Sequence, residues 1–345
     1  MNTHQSQCEA AVTAGAWDRL FAEAAAWIMA SQHEAGQDPR PHFAQNIVCL
    51  LRGRFADAWK AHAQCLEIEQ DITVVKSWVE ALVEREPNNG HVHLVKGLFL
   101  SQSGQSEQSV QVYKDAARLD PQSAYPHYFL AQIHERAHQP EMAIKEYKEA
   151  IRLNPDYGPA RTNLGVAYQD QGRLEMAIKE YREIIKLFPG DPIAHANLGC
   201  ALAEQGKLES ALQSYKEALR LNPSDAEVHF ALGNLFETRG RLDLAQKSYQ
   251  NALKANPNFG AAYSALGWLA LSKHRLQEAA DTFSRALKCN EEDARAYHGI
   301  AEIYAIRGKR QSAMENYSRA LKYYRDPEKR NQIMNQLFQE GQVGD

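Results

Sequence analysis

Small and ring-bearing residues recur along this chain with a fixed period of 34 positions, on a background of helical apolar and polar alternation. From Gly90 to Pro327 one phrase is written seven times, beginning at Gly90, Ala124, Gly158, Pro192, Ala226, Gly260 and Ala294. Its eighth place is always small (Gly97, Ala131, Gly165, Gly199, Gly233, Gly267, Ala301), and so is its twentieth (Ser109, Ala143, Ala177, Ala211, Ala245, Ala279, Ala313). The twenty-fourth is always a ring: Tyr113, Tyr147, Tyr181, Tyr215, Tyr249, Phe283, Tyr317. Small residues let two helix axes approach toward the short end of the roughly 8 to 10 Å range of packed helices, and the ring fills the space beside that contact. Glycines at Gly104, Gly172, Gly206, Gly240 and Gly308 fall between the apolar runs, where a left-handed residue ends one helix and lets the next fold back. Pro121, Pro155, Pro189, Pro223 and Pro257 then stop the second helix. Each phrase predicts a helical hairpin; one hairpin cannot bury its apolar face alone, so the hairpins must stack into an all-α solenoid.

The flanks follow the pattern less closely. Residues 1–89 are helical but out of phase. Gly15-Ala16-Trp17 and Gly53-Arg54-Phe55 resemble the middle of a phrase, giving units at about 1–34 and 39–72, and one further helix at about Ile72 to Arg85 ends before Pro87. After Tyr324, the apolar positions Ile333, Met334, Leu337 and Phe338 predict a terminal helix that covers the last hairpin, followed by a frayed tail. The chain thus divides into a divergent helical segment 1–89, seven units over 90–327, and a cap over 328–345.

The small, aromatic and proline places, taken in order, are similar to those of the tetratricopeptide repeat. The resemblance implies a right-handed superhelix of helix pairs whose first helices line a concave groove that binds segments of other proteins.

Composition narrows the function. With a formal net charge of -4 and no basic stripe, the chain has no electrostatic footprint for nucleic acid. The apolar run Ala24 to Ala30 is far shorter than the ~20 residues that span a bilayer, so no membrane span is expected. The N-terminus lacks the basic and apolar regions of a secretory signal. Cys8, Cys49, Cys65, Cys200 and Cys289 are odd in number, with no C-x-x-C pair, which fits buried thiols in a reducing compartment. These features together predict a soluble, cytoplasmic protein.

One catalytic pattern stands out: His134-Glu135-Arg136-Ala137-His138 spells H-E-x-x-H, which in zinc hydrolases puts two ligands on one face of an unbroken helix with the glutamate as base. The repeat register opposes that reading. His134 takes the packing place of Leu202 and Phe236, and His138 the turn place of Gly172 and Gly206, with Pro140 close behind. A histidine column at the fourth place, His93, His127, His195 and His229, spaces its members by about 10 Å, whereas zinc needs each nitrogen within about 2.1 Å. Cys289 falls where Leu119, Leu153, Leu187 and Leu221 fall, and reads as a packing residue. No residue set calls for a cofactor or a catalytic role, and the chain reads as a non-enzymatic interaction scaffold, with the zinc hydrolase as the competing reading.

If first helices line the groove, its exposed side chains come from the second, fifth, ninth, twelfth and thirteenth places. These include Tyr125, Tyr128 and Gln132; Val166 and Asp170; Ile193 and Glu204; Glu227, Phe230 and Asn234; then Trp268 and Arg295. Rings and apolar side chains in a concavity mark an interface, since burying one contributes about 1.5 to 3 kcal/mol. Asn163 and Asn197 at the sixth place add a donor and acceptor suited to the backbone of an extended ligand. With Glu135, Asp170, Glu204, Glu227 and Glu237 nearby, the expected partner is a protein or peptide segment with basic residues beside apolar anchors. Co-chaperones of the family clamp a C-terminal carboxylate with Lys, Asn and Arg. Leu94, Leu98, Tyr128 and Phe129 stand at the corresponding places here and disfavour a chaperone-tail adaptor.

Overall fold

The computed structural model describes residues 3–31, 39–51 and 73–342. Every regular element among them is an α-helix, and the chain divides into two compact units, Met1–Pro189 and Gly190–Asp345.

In the first unit, helices Thr3–Thr13, Trp17–Ser31 and Pro39–Leu51 precede Thr73–Arg85; of the unit expected over 39–72, residues 52–72 lie outside the described residues. Thr73–Arg85 packs on Gly90–Gln102 and ends before Pro87, one period ahead of Pro121. Three hairpins follow: Gly90–Gln102 with Ser106–Leu119, Tyr125–Arg136 with Pro140–Leu153, and Gly158–Asp170 with Leu174–Leu187. The N-terminal helix is fastened by one buried carboxylate. Glu9 accepts from Trp78 Nε1 at 3.0 Å, Arg85 Nη2 at 2.9 Å and Gln5 Nε2 at 2.8 Å. Burial alone would raise its pKa, but hydrogen bonds from Gln5, Arg85 and Trp78 win and hold it below the ordinary value.

In the second unit the hairpins are Pro192–Glu204 with Leu208–Leu221, Ala226–Thr238 with Leu242–Ala255, Gly260–Ser272 with Leu276–Cys289, and Ala294–Ile306 with Arg310–Tyr323; the helix Pro327–Gln342 then packs on Arg310–Tyr323.

The register seen in the sequence has direct mechanical counterparts. Each ring of the twenty-fourth place is buried, and a Cβ built on Gly97, Gly165, Gly199, Gly233 or Gly267 would sit 2.4 to 2.6 Å from the ring of its own hairpin. The hairpin turn takes positive φ in all seven copies, at Gly104, Gly172, Gly206, Gly240 and Gly308 and at His138 and His274. Gly240, with φ +66° and open space beside it, isolates the backbone term. Gly240→Ala should lower stability by about 1 kcal/mol in chemical denaturation, and a neutral result would mean that the turn relaxes.

Four of the seven first helices start at a side-chain acceptor in the place just before their phrase. Asn89, Asp191 and Asp225 each accept from two backbone N–H groups of the helix they open, and Asp293 from one. Successive hairpins are stitched on the second-helix side by a cation before one second helix and an acid or amide at the start of the previous one. The pairs are Arg173 with Glu141, Arg239 with Glu209, Lys273 with Asp243 and Arg307 with Gln277.

The terminal helix is tied to the last hairpin by Glu302. Its Oε1 accepts from Tyr317 Oη at 2.9 Å and from Gln336 Nε2 at 2.8 Å, with His298 Nε2 at 3.5 Å. His298 first, then Tyr317 and Gln336, hold the Glu302 pKa below the ordinary 4.5 against the effect of burial. A depressed carboxylate stabilises above its unfolded-state pKa, and that contribution is lost as pH falls through the folded value. Amide protection at Ile333 should therefore drop as the pH falls below the ordinary 4.5 of a glutamate, and Glu302→Gln should flatten the profile. Protection that is equally steep in the variant would exclude this carboxylate as the cause.

Candidate functional site

The first-helix face of each unit is where the candidate residues meet solvent. In the first unit, Val166 and Asp170 are exposed and Tyr125, Gln132 and Asn163 half-buried. In the second, Ile193 (60% exposed), Glu204, Glu227 and Asn234 are exposed, and Asn197, Phe230, Trp268 and Arg295 half-buried.

One expected anchor is misplaced. Tyr128 is fully buried, its ring packed against Phe129, Tyr147 and Tyr157 at centroid distances of 5.1, 6.0 and 5.1 Å, and its hydroxyl accepts from Gln132 Nε2 at 3.0 Å. The reason lies 29 residues on, in the last place of the same phrase. That place holds a helix-capping acid in some copies but a ring in two, Tyr157 and Phe259. Each ring lies on the fifth-place ring of its phrase: Tyr157 on Tyr128, and Phe259 on Phe230 at 5.3 Å. Phe230 is thereby half-covered, with Tyr249 at 5.5 Å. Trp268 is likewise held from one side, by Phe283 at 5.8 Å and His298 at 4.9 Å, and its Nε1 donates to the Arg295 carbonyl at 3.2 Å.

That the ring of the twenty-fourth place reaches this face is not legible in the repeat pattern. Its hydroxyl emerges between the ninth and twelfth places and engages them. Tyr147 donates to Glu135 at 2.7 Å, Tyr181 to Gln169 at 3.2 Å, Tyr215 to Cys200 at 3.4 Å, and Tyr249 to both Asn234 and Glu237. Asn163 is committed in the same way, donating from Nδ2 to Tyr147 Oη at 3.1 Å. Part of the acidity read from the sequence is therefore spent internally. Burial is the main cause that raises the Glu135 pKa. Tyr147, Tyr215 and Tyr249 are pushed well above the ordinary phenol value, again by burial first.

The chemistry-bearing motifs resolve as structure. The helix carrying His134 ends at Arg136; His134 Nδ1 lies 2.8 Å from Gln139 Oε1, and His138 sits beyond the helix with φ +54°. The two histidines do not share one helical face, and among the described residues no group of three or more His, Cys, Asp or Glu is arranged to hold a metal ion. Protein purified without an affinity tag should carry no stoichiometric zinc; zinc that disappears on His134→Ala would reverse this. The fourth-place histidines are positioning contacts: His127 Nδ1 meets Glu146 at 2.7 Å, while His93 and His229 reach the carbonyls of Pro87 and Pro223 at 2.8 and 3.0 Å. Cys8 and Cys49 are buried and Cys200 half-buried, but Cys289 is exposed. Its place in the last turn of the second helix is only partly covered, as Leu187 at 38% exposure also shows.

With this geometry established, the comparisons identify the family. Three profiles of the repeat match: one for "Tetratricopeptide repeat" over residues 128–192, 238–294 and 265–328, another of that description over 90–123, and one for "TPR repeat" over 199–240. The chain belongs to the tetratricopeptide repeat family. Among solved structures it is similar to a tetratricopeptide repeat protein from Parabacteroides merdae, at TM-score 0.62 and 16% identity over 72% of this chain and 98% of that one. It is also similar to the APC/C hetero-tetramer Cut9-Hcn1, at TM-score 0.61 and 17% identity over 93% of this chain and 59% of that one. At these identities the likeness is one of fold. No curated protein matches the chain. No helix among the described residues is long and apolar enough to cross a membrane. Family and fold together make the chain a protein-interaction scaffold.

Proposed function

We propose that the protein is a non-catalytic adaptor that holds a peptide segment or helix of a partner along the first-helix faces of its hairpins and so assembles a multiprotein complex. The observation that carries this reading is the exposure of both apolar side chains and carboxylates on the first helices: Val166 and Asp170 in the first unit, and Ile193, Glu204 and Glu227 in the second. Such a surface suits a segment with apolar anchors and basic residues, the charges governing encounter and selectivity more than affinity.

Random peptides displayed against the intact protein should enrich basic residues next to apolar ones. Val166→Asp combined with Ile193→Asp should lower capture of the enriched peptides by about tenfold while leaving helix content unchanged. Enrichment that is indifferent to both substitutions would place binding elsewhere.

A further inference from the structure

We propose that the groove face of the first regular hairpin, Gly90–Gln102 with Ser106–Leu119, is a partner surface that the chain's own N-terminal helices cover in the free protein and that an incoming segment uncovers by displacing them. This rests on the reading of the first-helix face as a partner surface, and it adds an intramolecular competitor at one end of that surface.

The groove-facing places of this hairpin are occupied at both ends. At the second place, His91 is seated on the turn between the first two helices: a Cβ built on Gly15 would fall 2.5 Å from His91 Cε1, and the Trp17 ring meets the His91 ring edge-on at 5.6 Å. At the thirteenth, Gln102 Nε2 donates to Asn46 Oδ1 of the helix Pro39–Leu51 at 2.6 Å. Between them Leu94 and Leu98, at the fifth and ninth places, are 1% and 2% exposed. The ninth place is buried in none of the other six hairpins: Val166 and Asn234 are exposed, and Gln132, Cys200, Trp268 and Glu302 half-buried. Trp17 also reaches the next hairpin, edge-on to Tyr125 at 6.3 Å, and Tyr125 is again a second-place residue. One N-terminal ring thus touches two consecutive first helices at places expected to meet the partner.

The cover is bonded lightly to the surface beneath it. Asn89 Nδ2 donates to the Thr13 carbonyl at 2.9 Å and Gln102 to Asn46, while His91 turns its Nε2 toward Asp120 of its own hairpin at 3.3 Å. The firm anchor lies off the groove places, where Glu9 accepts from Trp78 and Arg85 on the helix Thr73–Arg85. Displacement exchanges one apolar covering of the leucines for another, so its cost is set largely by that anchor. The fraction of uncovered protein then scales the apparent affinity for a partner. Gln102 supplies an independent sign: its Oε1 is buried without a hydrogen-bond partner among the described residues, although buried polar atoms are ordinarily satisfied. A partner segment answers both features, with two apolar side chains for Leu94 and Leu98, one helical turn apart, and a backbone N–H for the Gln102 oxygen.

The test titrates a fluorescein-labelled peptide with a Leu-Lys-Leu-Lys-Leu core against the intact protein and its variants. Anisotropy gives affinity, and amide hydrogen exchange over 3–31 reports the state of the first two helices. Glu9→Ala releases the anchor and is expected to tighten binding about tenfold, and Leu98→Ala added to Glu9→Ala to remove that gain. Trp17→Ala removes the contacts with His91 and Tyr125 and leaves the Glu9 anchor in place. It is expected to act in the same direction, and it keeps the test open if Glu9→Ala perturbs folding. Saturating peptide should lower protection over 3–31 in the unsubstituted protein, whereas a fixed end wall would keep it. Affinity that neither Glu9→Ala nor Trp17→Ala tightens, a gain that survives Leu98→Ala, or protection that the peptide leaves unchanged or raises overturns the proposal. If the peptide binds all the variants alike and Ile193→Asp abolishes binding, the scaffold reading survives and the displaceable cover falls; if it binds none of them, both fall.

Discussion

Gly233→Leu should destabilise the second unit by about 3 kcal/mol or more, the upper end of what overpacking costs. A Cβ at Gly233 already falls 2.4 Å from Tyr249 Cε1 and 2.5 Å from Cδ1, and the tyrosine ring is fully buried among Ala245, Ala252, Ala262, Ala265 and Leu269. The ring cannot swing aside, because its hydroxyl is held by Asn234 and Glu237. Gly233→Ala should cost less, since Ala131 and Ala301 fill the same place in two hairpins whose rings, Tyr147 and Tyr317, remain buried. Denaturant titration followed by circular dichroism measures the series, and a neutral Gly233→Leu would mean that the two helices do not approach closely here.

Tyr128→Ala should cost about 3 to 5 kcal/mol, the loss typical of emptying a large aromatic site. Its ring is packed by Phe129, Tyr147 and Tyr157, and its hydroxyl accepts from Gln132, so truncation leaves a cavity and an unmet amide. Ile193→Ser, on an exposed side chain of the second unit, should by contrast change stability by less than about 0.5 kcal/mol. The same denaturation assay separates the two. A near-neutral Tyr128→Ala would return that ring to the surface.

The contrast marks how far the sequence could be read. A period of 34 with small, ring and proline places specifies helix pairs because each place has a single mechanical task, and Gly233 against Tyr249 is that task performed. Which residues of a first helix remain available is not periodic. It depends on what the last place of the same phrase carries: an acid such as Asp191 or Asp225 caps the next helix, whereas Tyr157 or Phe259 covers the fifth-place ring instead. That signal was present as an aromatic pair 29 residues apart in two phrases. The consumption of Glu135 and Glu237 by tyrosine hydroxyls was hidden, because it depends on where a long side chain ends rather than on where it starts. The tie between Glu302 and Gln336 joins the last hairpin to the terminal helix, which the repeat pattern does not describe.

The most direct test of the scaffold reading places a photo-crosslinking amino acid at Ile193, exposed on a first helix, and in a parallel protein at Met176, also exposed, on a second helix. Partner peptides selected against the intact protein should crosslink from position 193 and not from position 176. Crosslinks that form from position 176 and fail from position 193 would contradict the account.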